Sequence, residues 1–158
     1  MIGMAKAKAA TEEKLTGCTC MRLRKVSRRV SQIYDRSLEP AGMTVTQYGL
    51  LGHILRHDGI GIGALADMLI MDPTTLTRSL RPLQQKGQVV LAQDPRDRRA
   101  RRLYLTAAGR AAFESARPAW ARAQRQVQQA LGAAETPALN AALDRVLERL
   151  AVRHSKSP

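Results

Sequence analysis

Along most of the chain apolar residues return every three or four positions, and over one short stretch they return every second. The first period predicts helices and the second strands. Leu23, Val26, Val30, Ile33 and Ser37 predict a helix from about Thr19 to Leu38, broken by Pro40 and Gly42. Thr44-Val45-Thr46-Gln47 fits a capping box, with a hydroxyl at the cap and a glutamine three residues on. It starts a helix over about 46–57 that carries Tyr48, Leu51, Ile54 and Leu55, and Asp58-Gly59 closes it. A short helix follows with Leu65, Ala66 and Leu69 inward, and a turn at Ile70–Asp72 leads into the next one. There Asp72 can cap free N–H groups, Pro73 suits the first helical position, and Leu76, Leu80 and Leu83 form one apolar stripe before Gly87. Pro82 removes a hydrogen bond inside this helix, which predicts a bend or a tightened last turn near Arg78–Pro82.

After Gly87 the period changes. Val89 and Leu91, then Leu103 and Leu105, alternate as strand positions do, and Asp94–Arg102 between them reads as a hairpin loop. Thr106 then caps a long helix striped by Phe113, Ala116, Trp120, Ala123, Val127 and Leu131, interrupted at Pro118 and ended by Gly132. Thr136-Pro137 starts a last helix with Leu139, Leu143, Val146, Leu147 and Leu150 along one side. Short helix, turn, exposed helix and hairpin make a winged helix–turn–helix. The fold class expected is mainly α with a small β-hairpin wing. The two terminal helices have little core left to cover, so a second copy of the chain is their expected partner, in preference to packing within one chain.

The polar side of the helix after Asp72 carries Thr74, Thr75, Thr77, Arg78 and Arg81, with no carboxylate among them. Arginine reads guanine bidentately, and threonine donates to phosphate or packs on the thymine methyl. The hairpin loop holds Arg96, Arg98, Arg99, Arg101 and Arg102 within seven residues. A charge run is usually a solvated loop, but this density beside a carboxylate-free helix face favours nucleic acid. Arg22, Arg24, Lys25, Arg28 and Arg29 on the first helix fit a solubilising surface as well as a DNA-facing one.

Composition narrows the partner. A formal charge of +13 on 158 residues favours salt-sensitive binding to polyanions, and the length fits one domain. No run of 18 apolar residues and no lipidation motif is present, so no membrane role is expected. MIGMAKAKAATEEKLTG lacks the apolar stretch of a signal peptide, and cytoplasm is the default location. Cys18 and Cys20 stand too close in sequence for a stapling disulfide, in keeping with a reducing compartment. With 3% aromatic residues there is no stacking platform for single strands, which leaves duplex DNA. Residues 1–15 read as a flexible basic arm and 16–154 as one domain, in which 44–106 form the winged lobe and 16–40 and 107–154 the dimerisation helices.

With these features in place, residues 18–150 resemble the MarR family of multiple-antibiotic-resistance-type regulators. The likeness rests on Leu65-Ala66, on Asp72-Pro73-Thr74-Thr75-Leu76-Thr77, on Asp97-Arg98-Arg99, and on Leu105-Thr106 followed by Gly109. The resemblance implies a homodimer on a pseudo-palindromic operator, with helix 73–86 in the major groove. It also implies Arg99 in the flanking minor groove, held by Asp97, with Arg98 beside it. It further implies a repressor released by a signal. One kind of signal is a small phenolic or aromatic ligand in a crevice between the dimer helices and the lobe, where Tyr34, His53 and His57 are the candidates. The other is oxidation: Cys20 stands where the organic-peroxide-sensing branch carries its reactive cysteine, and Tyr34 matches a tyrosine that hydrogen-bonds that sulfur there. The match is incomplete, because Arg24 replaces a second tyrosine. A nearby guanidinium would raise the thiolate fraction.

Other classes fit less well. There is no Gly-rich phosphate loop and no nucleophile elbow, so no enzyme and no cofactor are expected. His53 and His57 have the spacing of a zinc pair, but the glutamate of a metalloprotease and a third ligand are missing, so no metal is expected. A sequence-neutral architectural DNA-binding protein remains the rival of another class, which the high charge suits.

Overall fold

Ten elements follow one another in the computed structural model, which describes residues 17–94, 97 and 100–154. The expected arm (residues 1–15) and the wing-tip residues Pro95, Arg96, Arg98 and Arg99 lie outside the described residues. Helix α1 spans Thr19–Leu38 and runs into a short 3-10 turn, Glu39–Ala41. Helix α2, Val45–Arg56, starts at the expected capping box, with Thr44 Oγ1 accepting from the Gln47 N–H and Gln47 Oε1 accepting from the Thr44 N–H. A two-residue strand β1, Ile60–Gly61, precedes helix α3, Ile62–Met68, and helix α4, Pro73–Gln85. Strands β2, Val89–Gln93, and β3, Arg101–Leu105, form the wing, and helices α5, Ala107–Leu131, and α6, Glu135–His154, complete the chain.

The sheet is antiparallel in the order β1-β3-β2. Val89 faces Leu105 and Leu91 faces Leu103, the register that the alternation requires for one buried face. Three details differ from the sequence reading. β1 is a third strand too short to leave a period of its own. Arg101 and Arg102 belong to β3 and not to the loop. Pro118 does not interrupt its helix, since α5 runs unbroken through it.

The core lies between α2, α3, α4 and the sheet, roofed by the end of α1 and the first half of α5. Leu38, Leu50, Leu51, Ile54, Leu65, Leu76, Leu80, Leu83, Val89 and Leu103 are at most 2% exposed. Each full burial contributes about 1.5–3 kcal/mol, so this cluster dominates the stability of the winged part. The stripe of α4 lands on it as the spacing predicted.

The junction between α4 and α5 is built tightly. Gly87, with φ +64, ends α4, and the Thr106 hydroxyl donates to its carbonyl at 2.7 Å while accepting from the Gly109 N–H at 3.0 Å. A Cβ on Gly109 would lie 2.1 Å from the Gln88 carbonyl oxygen, so only glycine lets α5 start against the turn. Lys86 Nζ donates to the Gly42 carbonyl at 2.6 Å, fastening the other side of that turn to the α1–α2 junction. The end of α4 is therefore held by both neighbouring helices.

Candidate nucleic-acid interface

Helix α4 begins where Asp72 Oδ1 accepts from the backbone N–H groups of Thr74 at 2.9 Å and Thr75 at 3.1 Å. With Leu76, Leu80 and Leu83 buried, the opposite side is forced outward. There Pro73, Thr74, Thr77, Arg78, Arg81 and Gln84 line one shallow surface groove. Thr75, exposed as well, is not among them. Gln84 escaped the sequence reading, although it continues the spacing from Thr77 through Arg81. Among its described residues this face has cations, hydroxyls and an amide and no carboxylate.

Hydrogen-bond direction sharpens what the face can read. Thr77 Oγ1 donates to the Pro73 carbonyl at 2.8 Å. Its proton is thus taken, and it offers outward a lone pair and a methyl group, which suit a base amino group or a thymine methyl. Arg78 and Arg81 are exposed, with their guanidinium forks available to bases or phosphates.

The wing rises from an anchor that sequence reasoning missed, a half-exposed arginine on a buried carboxylate. Arg102 donates through Nε to the Asp94 carboxylate and through Nη1 to the Gly59 carbonyl at 2.8 Å. Asp94, 6% exposed, closes the hairpin by also donating its N–H to the Ala100 carbonyl at 3.0 Å. Asp97 is exposed at the tip, and its carbonyl accepts from the Ala100 N–H. Arg98 and Arg99, the expected minor-groove residues, lie outside the described residues.

The effector candidates fall on a different surface. Tyr34 of α1 donates its hydroxyl to Gln124 Oε1 of α5, and its ring stands 6.4 Å from Trp120. Tyr48 stacks on Phe113 at 4.6 Å and on Trp120 at 5.8 Å, so four aromatic rings form one column between α1, α2 and α5. Burial raises the pKa of Tyr34. It also raises that of Tyr48, aided by Glu114 and opposed by Arg117 and Arg56. His53 is half-buried, and its pKa is lowered by burial, then by Arg56 and His57. His57 is exposed and caps the end of α2, its N–H donating to the His53 carbonyl at 3.0 Å. Among the described residues no group of three or more His, Cys, Asp or Glu side chains is arranged to hold a metal.

Cys20 and Tyr34 are not brought together within one chain. Fourteen residues of α1 separate them, a rise of about 21 Å, and the Tyr34 hydroxyl is engaged by Gln124. Cys20 is exposed and Cys18 half-buried, both as free thiols. Among the described residues no helix is long and apolar enough to cross a membrane.

Comparison with known proteins agrees with this layout. The MarR family profile matches residues 41–100, from the end of the 3-10 turn to the wing. The M. tuberculosis transcriptional regulator MosR in complex with DNA is 31% identical, with a TM-score of 0.77 over 89% of this chain and 99% of that one. A mutant of E. coli MarR complexed with operator DNA is 26% identical, with a TM-score of 0.74 over 80% of this chain and 91% of that one. The transcriptional activatory protein BadR of Rhodopseudomonas palustris is 29% identical over 120 residues, 70% of this chain and 69% of BadR. An outward helix face without carboxylates, a pinned wing and this degree of likeness lead to one assignment: the chain belongs to the MarR family of transcriptional regulators.

Proposed function

We propose that the protein is a homodimeric regulator that reads a pseudo-palindromic double-stranded DNA operator through α4 and the wing. The observation that carries this reading is the outward face of Thr74, Thr77, Arg78, Arg81 and Gln84, held rigidly from below by three fully buried leucines. MosR and E. coli MarR, both similar to this chain, have been solved with DNA. Residues 44–106 then read DNA, while 16–40 and 107–154 pair the subunits. Pairing is supported by the apolar side of α6, where Leu139, Leu143, Val146, Leu147 and Leu150 are 38–58% exposed. It is also supported by an open groove of about 330 Å³ between α1 and α5, lined by Val26, Val30, Ile33, Val127, Ala130 and Leu131.

The test is selection of binding sites from random duplexes, followed by titration of the selected and an unrelated duplex at several salt concentrations. A regulator prefers its selected site by about a thousandfold or more, with a steep salt dependence. Equal affinity for both duplexes would leave the architectural reading standing. Arg78→Ala should weaken the selected site by about 1–3 kcal/mol at one base position if Arg78 reads a base edge. A uniform loss would make it a phosphate contact. Arg99→Ala should weaken binding and leave the dimer intact.

Repression follows where the operator overlaps the promoter. BadR is named as an activatory protein, so transcription in vitro, with and without the regulator, decides the sign. The aromatic column of Tyr34, Tyr48, Phe113 and Trp120 supports release by a small phenolic or aromatic acid. A thermal-shift screen of such acids tests this. For the oxidative alternative, operator binding before and after organic peroxide, in wild type and Cys20→Ser, is the measurement. Loss of binding that reductant reverses and Cys20→Ser abolishes would replace the ligand by the thiol.

A further inference from the structure

Three turns close the same way, with one residue in the left-handed conformation after a helical segment. After α4 the left-handed residue is Gly87, with φ +64. Its N–H donates to Gln84 and the next N–H to Leu83, both at 2.9 Å. After the 3-10 turn it is Gly42, with φ +66. After α3 it is Ile70, with φ +51, whose N–H donates to Asp67 at 3.1 Å while that of Met71 donates to Ala66 at 2.8 Å. Both α3 and α4 thus end in a Schellman motif, whose left-handed position is usually glycine, sometimes asparagine. A β-branched residue there is an outlier that carries roughly 1–2 kcal/mol of steric strain. Among the described residues Ile70 is the only non-glycine with positive φ.

The Ile70 side chain itself recovers none of that strain by packing. Ile70 is 74% exposed, whereas its neighbours Leu69 and Met71 both pack against the core. Glycine would close the turn without strain, as it does at position 87. The turn also has a particular address: Ile70 lies two residues before the cap Asp72 and four before Thr74, directly ahead of the end of α4 that enters the groove under the reading above. Strain held at an exposed side chain beside a reading surface marks a side chain kept for contact.

We infer that Ile70 is a specificity-determining residue, which packs its exposed aliphatic side chain on a thymine methyl at the edge of the sequence read by α4. The inference rests on the DNA-reading function proposed above. Apolar contact is the means by which a side chain without hydrogen bonds distinguishes thymine in the major groove. The contact adds a preference that the threonines and arginines of α4 do not supply.

The test uses full-length dimer, the duplex selected by wild type, and versions in which single thymines are replaced by deoxyuridine, which removes only the C5 methyl. At one half-site position, repeated by symmetry, the replacement should weaken wild type by about fourfold, the value of one buried methyl. Ile70→Asn should bind the unmodified duplex about fourfold more weakly, and the same replacement should leave it unaffected. Ile70→Val should retain most of the discrimination. Because asparagine tolerates the left-handed region, Ile70→Asn should also raise the melting temperature, by about 2–4 °C. A structural role that merely places α4 would lower affinity without removing the sensitivity to deoxyuridine, and would overturn the inference. So would an Ile70→Asn variant that matches wild type on every duplex. A wild-type dimer that selects no sequence would remove the DNA-reading function and this inference together, whereas a wild type that selects one and ignores every methyl removes the inference alone.

Discussion

The winged part and the last helix, α6, are built from the same apolar residue types at the same spacings, yet they end in opposite states, while the α5 stripe of Ala116, Ala123 and Val127 is buried within the chain as the winged part is. In α4 the stripe of Leu76, Leu80 and Leu83 is at most 1% exposed. In α6 the stripe of Leu139, Leu143, Val146, Leu147 and Leu150 is open, and Thr136 is the only buried residue among those described there. The first half of α1 behaves like α6, with Met21, Leu23 and Val26 between 40 and 50% exposed. One region satisfies its hydrophobic demand within the chain, and α6 with the first half of α1 leaves it exposed. Stability of the winged part should therefore respond to single cavities, and assembly to charges placed on α6.

The largest effect is expected inside the winged part. Leu80→Ala should lower its stability by about 2–5 kcal/mol in a denaturant titration, because the surrounding leucines cannot collapse into the space. A loss below 1 kcal/mol would show that this core is less complete than it looks. Next in size, Leu143→Glu with Leu147→Glu should raise the dimer dissociation constant by roughly a hundredfold or more, since carboxylates would be buried without partners. Sedimentation at several concentrations measures it, and circular dichroism should show the winged part still folded. A dimer that survives intact would place the interface elsewhere.

A smaller effect is expected at the wing. Arg102→Ala removes the hydrogen bonds to Asp94 and to the Gly59 carbonyl and should destabilise by about 1–3 kcal/mol. Hydrogen exchange should rise at the base of β2–β3 first, and no change there would mean the wing does not depend on this anchor.

The smallest effect is a pH dependence at His53. Its folded pKa lies below the ordinary 6.5, chiefly through burial. The unfolded chain therefore takes up the proton first as pH falls through that value. Stability at this residue is intact above pH 6.5 and is lost as the pH drops toward the folded pKa. His53→Gln should flatten that part of the stability curve between pH 7.5 and 5, and an unchanged slope would assign the pH dependence to other groups.

Local signals carried much of the layout. The Thr44 and Thr106 caps, Asp72-Pro73 and the leucine stripe of α4 are read from a few adjacent residues, because capping and amphipathicity act over one or two turns. Most of the polar face of α4 was legible for the same reason, although Gln84 at its far end escaped and Thr75 does not line the groove. Arg102 was read as one more loop arginine, since nothing local reveals that Asp94 and the Gly59 carbonyl converge on it. Tyr34, Tyr48, Phe113 and Trp120 lie too far apart in sequence for any period to gather them into a column. Pro118 misled in the other direction, since α5 runs unbroken through it.

By itself the sequence determined the elements, the hydrophobic face of each and the sign of the surface charge, since these depend on neighbours within a few residues. Tertiary structure alone decided three things: which arginine anchors the wing, that Cys20 and Tyr34 stand apart within one chain, and that Ile70 occupies a left-handed turn while its side chain stays in solvent. Each of these depends on groups that meet only after the chain has folded, and a linear pattern has no means of expressing that distance.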